Sequence, residues 1–211
     1  MKIISFISQK GGSGKTTLAI HMAVVAQIAR ERVVLIDLDP QRSATIWGEN
    51  RESDTPLVAT ATTDDLPKLI EIGEKEKMTL AVLDTAPHSN LAATAIARLS
   101  DLLIIPCRPS VLDLAAVEST IEIVKAAGKS AGFVLNACKS RGAEVEEARA
   151  YLESRGFPVL GEVTDRVMFA RSLASGRTAY EYDSDPEHKA GKEMVAIWAA
   201  IRKKLKEQND G

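Results

Sequence analysis

The sequence predicts an α/β fold in which a doubly wound, mostly parallel sheet carries helices on both faces. Three observations support this expectation: apolar strand-like runs alternate with helical patterns along the chain, two runs end in aspartate, and a glycine-rich loop follows the first run. The 211 residues contain no linker, repeat or low-complexity segment, so we expect a single domain over residues 1–211. In such sheets a ligand binds at the carboxyl ends of the strands.

The strands are predicted from short apolar runs, which are typical of strands buried on both faces. They are expected at 3–7, 32–37, 79–84, 102–106 and 132–136, with a short edge strand at 159–160. The helices are predicted from apolar residues that recur at threes and fours, as they do from Leu18 to Ala29. They are expected at 16–29, 43–50, 63–76, 90–98, 111–127, 143–155, 165–175 and 187–206.

The loop between the first strand and the first helix has the sequence QKGGSGKTT, from Gln9 to Thr17. This strand, loop and helix order is the setting of a P-loop, whose backbone N–H groups surround phosphate oxygens. Lys15 and Thr16 fit the lysine that contacts the β/γ-phosphates and the hydroxyl that binds Mg²⁺. The generic pattern has glycine in place of Gln9, and Lys10 is an additional lysine. The predicted phosphate-binding residues are Gly11, Gly12, Ser13, Gly14, Lys15, Thr16 and Thr17.

Three aspartates follow predicted strands. Asp37 and Asp39 are two residues apart, so their side chains point the same way unless the turn begins early, and we expect one of them to face the phosphates. Asp84, in the segment DTAP, has the form of a Walker B strand end, where a carboxylate holds Mg²⁺ directly or through water. We expect Asp39 and Asp84 in the site, and leave Asp37 open between that role and orienting a loop.

Composition excludes several other classes of protein. The net charge of −2 argues against a globally basic surface that coats DNA, so any nucleic-acid contact must be a local patch. No apolar run is long enough to span a bilayer and the N-terminus lacks the pattern of a signal peptide, so a cytoplasmic protein is expected. Cys107 and Cys138 follow apolar runs and are expected to be buried thiols, and no Cys/His cluster suggests zinc or iron–sulfur chemistry.

Three ordered motifs resemble the ParA/MinD family of deviant Walker A ATPases, and the resemblance extends over essentially the whole chain. They are Lys10–Thr17 as the deviant Walker A motif, Asp37–Gln41 as the first switch and Leu83–Pro87 as Walker B and second switch. The chain looks most like the small plasmid-partition ATPases of the ParF type. Residues 105–113 resemble their proline-containing interface loop, and residues 169–176 resemble the stretch before their last helix.

The resemblance implies an ATPase that is weak alone and stimulated by a partner, with ATP and Mg²⁺ as cofactors. Lys10 would reach the nucleotide of a second subunit, Lys15 would bind phosphate, and Asp39 would position the attacking water. Thr16 and Asp84, together with Asp39, would form the metal site. Asn136 can offer both a donor and an acceptor to adenine, although asparagine at a strand end is also ordinary turn chemistry.

The implied partners are a second copy of the chain with ATP bound, a small ParB- or ParG-like centromere-binding protein, and nonspecific DNA. These imply a nucleoid-associated location and a role in plasmid or chromosome segregation. Two alternatives remain open: a ParA-like positioning ATPase for another cargo, and a MinD-like ATPase that acts at membranes. Residues 206–211 are polar and leave no amphipathic tail, so no membrane contact is expected. The basic residues considered for DNA are Arg166, Arg171, Lys189, Lys192, Arg202, Lys203, Lys204 and Lys206.

Overall fold

The computed structural model of the protein describes residues 1–87, 90–139, 142–182 and 188–208, so the end of the polar tail lies outside the described residues. Within these ranges seven strands form one sheet in the order β3-β2-β4-β1-β5-β6-β7, and every neighbouring pair is parallel. The predicted fold class is therefore confirmed. The strands are β1 (Lys2–Phe6), β2 (Val33–Asp37), β3 (Leu57–Thr60), β4 (Leu80–Asp84), β5 (Leu102–Cys107), β6 (Ser130–Cys138) and β7 (Val159–Thr164).

Helices cover both faces of this sheet. They are α1 (Lys15–Ile28), α2 (Ser43–Glu49), α3 (Leu66–Lys75), α4 (Asn90–Leu99), α5 (Val111–Ala127), α6 (Glu144–Ser154), α7 (Val167–Ala174), α8 (Ala179–Tyr182) and α9 (Lys189–Glu207). Helices α1 to α6 lie between successive strands, and α7, α8 and α9 follow β7. Parallel strands require such connections, because the chain must return to the same edge before it pairs again.

The core is divided by the sheet into two layers. Along β1, Ile4 and Phe6 pack with α1, α2, α7, α8 and α9, whereas Ile3 packs on the other face with α3 and α4. Successive side chains of a strand point to opposite faces, so an unbroken apolar run fills both layers at once. The remaining part of the second layer lies between β5, β6 and helices α4, α5 and α6. Among the described residues, no helix has both the length and the apolar character that a bilayer span requires.

Two elements were not predicted. Strand β3 lies at the edge of the sheet and has only four residues, of which the first and the last are exposed. Its sequence, LVAT, is therefore too short to show the apolar run that predicted the central strands. Helix α8 has only four residues, and its short sequence AYEY is too brief to show helical periodicity. The strand predicted at 159–160 is confirmed at the other edge of the sheet, where it extends to Thr164.

The two cysteines are buried free thiols, as predicted. Burial is the main cause that raises the pKa of Cys107 to about 12 and that of Cys138 to about 11. Both side chains are therefore neutral at physiological pH, and they pack with the core between the sheet and helices α5 and α6. Their role in this structure is that of small apolar residues.

Candidate nucleotide site

The glycine-rich loop connects β1 to α1 and forms one wall of a cleft of about 470 Å³. Gly14 occupies the N-cap position of α1 with a φ of 102°, and no side chain caps the helix. The first N–H groups of α1 are therefore available to an anion, in the way that helix N-termini bind phosphate. The loop residues that line the cleft are Gly11, Gly12, Gly14, Lys15, Thr16 and Thr17.

Lys15 is buried at the base of this cleft. Its ammonium donates to the carbonyl oxygen of Lys10 at 3.4 Å. Burial lowers the pKa of Lys15, and the carboxylates of Asp84 and Asp39 act against that change. A cation held in a desolvated cleft is suited to a multiply charged anion such as a phosphate chain.

Asp84 lies beside Asp37 and Phe6 in the sheet register, at the carboxyl ends of the central strands. It is fully buried, and neither carboxylate oxygen has a hydrogen-bond partner among the described residues. Burial raises the pKa of Asp84 to about 7, and the hydroxyl of Thr16, which lies nearby, opposes this effect only in part. Two unpartnered carboxylate oxygens near a hydroxyl form a donor set that suits Mg²⁺. The residues present therefore fit the predicted metal.

The structure separates the roles of Asp37 and Asp39, which the sequence left open. Asp37 is fully buried and accepts hydrogen bonds from the N–H of Asp39 at 3.1 Å and from the N–H of Thr45 at 2.8 Å. It orients the loop that leads into α2. Asp39 is half-buried and lines the cleft, and it also accepts a hydrogen bond from the N–H of Gln41 at 2.9 Å. The chain turns between Asp39 and Arg42, and the two carboxylates have different surroundings: Asp37 accepts from the backbone of the loop, whereas Asp39 lines the cleft.

Lys10 does not line the cleft of its own chain. Its ammonium lies 2.7 Å from Oδ1 of Asp113, near the beginning of α5. The lysine side chain is 40% exposed, whereas that of Asp113 is 11% exposed. The additional lysine of the loop is thus partly exposed beside the cleft, and within the described ranges the ion pair of its ammonium is with Asp113.

Asn136 lines the cleft beside the loop, and its amide nitrogen donates to the carbonyl oxygen of Ser13 at 2.8 Å. One of its donors therefore braces the loop. Contact between its remaining groups and adenine stays a prediction. The hydroxyl of Ser13 is buried and has no hydrogen-bond partner among the described residues.

The far wall of the cleft was not predicted as part of the site. It contains the apolar side chains of Phe169, Ala170 and Leu173 from α7. An apolar wall opposite a phosphate cradle suits a planar base, because ligand pockets combine apolar lining with a few polar groups. The only sequence signal was the resemblance of residues 169–176 to a stretch before the last helix. Other residues that line the cleft are Pro87, Arg108, Ala137, Thr164, Asp165 and Arg166.

Alanine at Gly14 is expected to lower nucleotide affinity by about tenfold or more, because both space and backbone conformation exclude it. A Cβ at this position would lie 2.1 Å from the amide nitrogen of Asn136, and the φ of 102° is one that side-chain-bearing residues rarely adopt. Titration of the Gly14→Ala protein with a fluorescent ADP analogue measures the loss.

Gly128→Ala is the matched control for Gly14→Ala. Gly128 also has a positive φ, of 64°, but a Cβ at this position would meet no atom within 4 Å, and the residue is far from the cleft at the end of α5. This variant should lose about 1 kcal/mol of stability and keep the wild-type nucleotide affinity. Equal affinities in all three proteins would contradict the role of Gly14 in shaping the loop.

His21 supports the site from within the core. Its Nε2 accepts the N–H of Ala179 at 3.0 Å, so its Nδ1 carries the proton and donates to the carbonyl oxygen of Thr17 at 2.7 Å. The ring also packs edge-on against Phe169, with ring centres 5.2 Å apart. A neutral histidine thereby joins the phosphate loop helix to α7 and α8. Burial lowers the pKa of His21 to about 4.

Acid is expected to destabilise the protein partly through His21. The unfolded chain binds a proton at this residue near pH 6.5, whereas the folded chain does so only near pH 4, so stability falls as pH decreases between these values. The contribution amounts to about 3 kcal/mol at most. Urea unfolding at several pH values should show a steeper decline for the wild type than for His21→Gln. Identical pH profiles would exclude this contribution.

Comparison with known proteins agrees with this geometry. The family model described as "CobQ/CobB/MinD/ParA nucleotide binding domain" matches residues 4–179. "Maintenance of carboxysome distribution protein A" from Gloeobacter kilaueensis is 35% identical over 161 residues, which are 74% of this chain and 73% of that protein. "Protein ParA" from Rhizobium radiobacter is 30% identical over 127 residues, 59% of this chain and 56% of that protein. The fold matches that of the septum site-determining protein MinD complexed with Mg-ADP from Pyrococcus horikoshii, with a TM-score of 0.77, 19% identity and 96% of each chain covered.

Proposed function

The chain belongs to the CobQ/CobB/MinD/ParA family of nucleotide-binding domains, and from that premise we propose that it is an ATPase that positions a cargo in the cell. In this proposal the protein binds ATP with Mg²⁺, dimerises face to face around two nucleotides, and separates when a partner protein stimulates hydrolysis. The nucleotide state then determines where the protein binds, and the cargo follows.

The position of Lys10 is the observation that carries this proposal. Its ammonium lies outside its own cleft but beside the phosphate loop, which supports a role toward a nucleotide that a second copy would hold. The two residues that precede Asp113 are unusually apolar for a surface: Val111 is 83% exposed and Leu112 is 79% exposed. Leu91, at the beginning of the neighbouring helix α4, is 90% exposed. A second copy of the chain would cover these side chains.

The residues of the cleft support hydrolysis as well as binding. Lys15 would hold the β/γ-phosphates, and Thr16 and Asp84, with Asp39 near them, would hold Mg²⁺. The ion supplies positive charge that offsets the developing negative charge on the phosphate oxygens. Asp39 is partly exposed in the cleft, where its carboxylate would orient the attacking water. A scaffold without enzymatic activity would not need this carboxylate, so we favour an enzyme.

Two classes of cargo remain in the proposal. The segregation of plasmid or chromosomal DNA, with a small ParB- or ParG-like protein as partner, is supported by the likeness to ParA from Rhizobium radiobacter. The positioning of a protein assembly is supported by the likeness to the carboxysome distribution protein, which covers more of the chain at higher identity. Both classes use the same ATP cycle and differ in the partner that stimulates hydrolysis.

Phosphate release with candidate partners tests the proposed function. We expect slow release by the protein alone and at least about tenfold stimulation when DNA and the product of a neighbouring gene are both present. A small DNA-binding partner that stimulates release identifies DNA as the cargo, whereas a partner that binds a protein assembly identifies the second class. A protein that binds no ATP, or that releases no phosphate with any partner, would contradict the proposal.

Nonspecific DNA binding is expected to use α9. Arg202, Lys203 and Lys206 are exposed together along one shallow groove of this helix. Arg166 is a poorer candidate because it forms an ion pair with Glu193, with both oxygens within 2.8 Å. Replacing Arg202 and Lys203 with alanine should weaken DNA binding by the ATP-bound protein about tenfold and reduce the slope of log affinity against log salt by about 2.

The control for this double variant removes two lysines of α3, Lys68 and Lys75, which lie on the opposite face of the sheet from α9. The net charge changes by the same amount in both proteins. Fluorescence anisotropy with a labelled duplex measures each affinity at several salt concentrations. Equal losses in the two proteins would show that overall charge, and not the α9 groove, determines DNA binding.

A further inference from the structure

The segment that follows β7 lines the cleft near its apolar wall. Thr164 ends the strand, Asp165 comes next, and Arg166 is the N-cap of α7. All three residues line the cleft, as Phe169 of α7 does. Strand β7 lies three places from β1 in the sheet, so this segment is about 14 Å along the sheet from the phosphate loop. In the proposed function the phosphates bind at the loop, and the nucleoside part of ATP extends toward this segment.

A carboxylate from the last helix holds the segment in place. It belongs to Glu193, in the second turn of α9. One of its oxygens accepts the N–H of Thr164 at 3.2 Å, and the other accepts the hydroxyl of Thr164 at 2.9 Å. The guanidinium of Arg166 donates to both oxygens, at 2.8 and 2.7 Å. Glu193 thus binds both ends of the segment, while it does not line the cleft itself.

The sheet alone holds this segment on one side only. Strand β7 is an edge strand, and its pairing with β6 is interrupted just before the segment, where Asn136 and Ala137 of β6 lie opposite a single residue of β7. Beyond the interruption, the N–H of Asp165 donates to the carbonyl oxygen of β6 at Cys138, at 2.9 Å. The hydrogen bonds from Glu193 supply the hold on the segment that a neighbouring strand would otherwise give.

Close packing fixes α9 in the position from which Glu193 acts. A Cβ at Gly161 of β7 would lie only 2.5 Å from Cγ1 of Ile197, so the helix lies directly against the strand. The side chains of Glu193 and Arg166 are only 21% and 24% exposed. Hydrogen bonds to a charged group with so little access to water are stronger than those on an open surface.

We propose that Glu193 is a positioning residue for the nucleoside part of ATP. It acts through Thr164 and Arg166, whose location in the cleft it fixes, and it leaves the phosphate contacts to the loop. The inference rests on the proposed function, since it takes the binding of ATP in this cleft as given. The two ends of the nucleotide are then held by separate devices, so a change at Glu193 should weaken one of them and spare the other.

Glu193→Gln tests this inference, because glutamine keeps the size of the side chain and one oxygen but replaces the second acceptor with an amide nitrogen. Titration calorimetry with ADP and Mg²⁺ measures the affinity for a whole nucleotide. Displacement of a fluorescent ADP analogue by pyrophosphate measures the affinity for the phosphates alone. We expect the ADP affinity to fall about tenfold, the effect of losing a hydrogen bond to a charged group. The pyrophosphate affinity should change by less than about twofold.

The kinetics of basal ATP hydrolysis give an independent measure. In Glu193→Gln the KM for ATP should rise about tenfold while kcat changes by less than about twofold, because Lys15, Asp39 and Asp84 are untouched. Glu193→Asp keeps the charge and both oxygens on a shorter side chain, so it should recover part of the lost ADP affinity. A general loosening of the fold would instead lower kcat and the pyrophosphate affinity as well.

Glu162→Gln is the matched control. It removes the same charge from β7 itself, where Glu162 accepts a hydrogen bond from Arg149 at 2.5 Å and does not line the cleft. Both affinities should stay at the wild-type values in this protein. Thermal unfolding shows that each variant folds.

The outcomes separate the inference from the proposed function. A wild-type protein that binds neither ADP nor ATP overturns the proposed function and the positioning role with it. A wild type that binds ADP, together with a folded Glu193→Gln protein that binds ADP equally well, overturns the positioning role alone. So does a Glu193→Gln protein that loses affinity for ADP and for pyrophosphate to the same extent.

Discussion

Replacing Lys10 with alanine is expected to abolish ATP-dependent dimerisation and to reduce ATP turnover by about 10³-fold, the effect typical of a cation supplied in trans to a phosphoryl-transfer site. Nucleotide binding by the monomer should stay close to that of the wild type, because the ammonium of Lys10 lies outside its own cleft. Light scattering with ATPγS, phosphate release and titration with a fluorescent ADP analogue measure the three quantities separately.

Lys15→Ala is the contrasting variant for this prediction. Lys15 is buried within the cleft, so its loss should remove nucleotide binding itself and therefore all later steps. Replacing the two lysines of this loop is thus expected to block different steps, which are nucleotide binding for Lys15 and dimerisation for Lys10. A Lys10→Ala protein that forms a normal ATP dimer with normal turnover would refute the assignment of Lys10 to a second subunit.

Replacing Asp39 with alanine is expected to have the opposite effect on association: the ATP dimer should persist while turnover falls by about 10²- to 10³-fold. The carboxylate lines the cleft, where it would orient the attacking water, whereas the ion pair of Lys10 with Asp113 lies outside the cleft. Removing Asp39 stops hydrolysis without removing the groups that hold two copies together. The lifetime of the dimer after dilution, measured by light scattering with ATP and Mg²⁺, should rise as turnover falls.

Asp37→Asn is informative beside Asp39→Ala, because the two aspartates are close in sequence but differ in role. Asp37 is fully buried and accepts three hydrogen bonds, two of them from Thr45, so its change should cost about 1 to 3 kcal/mol of stability. Asp39 is half-buried, and its change should leave stability nearly unaltered. Wild-type turnover in Asp39→Ala would remove this residue from the role of orienting water.

The central strands and the phosphate loop could be predicted because local sequence determines them. The run Ile3–Ile7 is apolar at nearly every position, since a central parallel strand is buried on both faces. Strand β3 escaped prediction because it is short, lies at the edge of the sheet and buries little. Helix α8 escaped because a single turn has no period to recognise, and its position is fixed by tertiary contacts such as that of Ala179 with His21.

The candidate site was predictable in part for the same reason. The loop and the strand-end aspartates follow directly from motifs, but the distinct roles of Asp37 and Asp39 depend on the hydrogen bonds that Asp37 accepts from Asp39 and Thr45, which two-residue periodicity cannot predict. The apolar wall around Phe169 and the partner of Lys10 come from segments far along the chain. Such contacts are fixed only when the sheet brings their loops to one edge.

The central claim is that two copies of the chain share each nucleotide site, and a mixture of two inactive variants tests it most directly. One variant is Lys10→Ala, which keeps an intact cleft, and the other is Asp39→Ala, which keeps an intact Lys10. In a mixed dimer the cleft of the Lys10→Ala copy receives Lys10 from the Asp39→Ala copy. One of the two nucleotide sites of the mixed dimer is therefore complete.

We predict that phosphate release from an equal mixture, combined before ATP is added, recovers to at most about a quarter of the wild-type rate. Random assortment would make half of the dimers mixed, with one complete site each, and the stable dimers that Asp39→Ala copies form with one another lower this share. Each variant alone should stay inactive at the same total concentration. Mixtures that form dimers but recover no activity at any ratio of the two variants would contradict the shared site. Lys10 would then act on the nucleotide of its own chain.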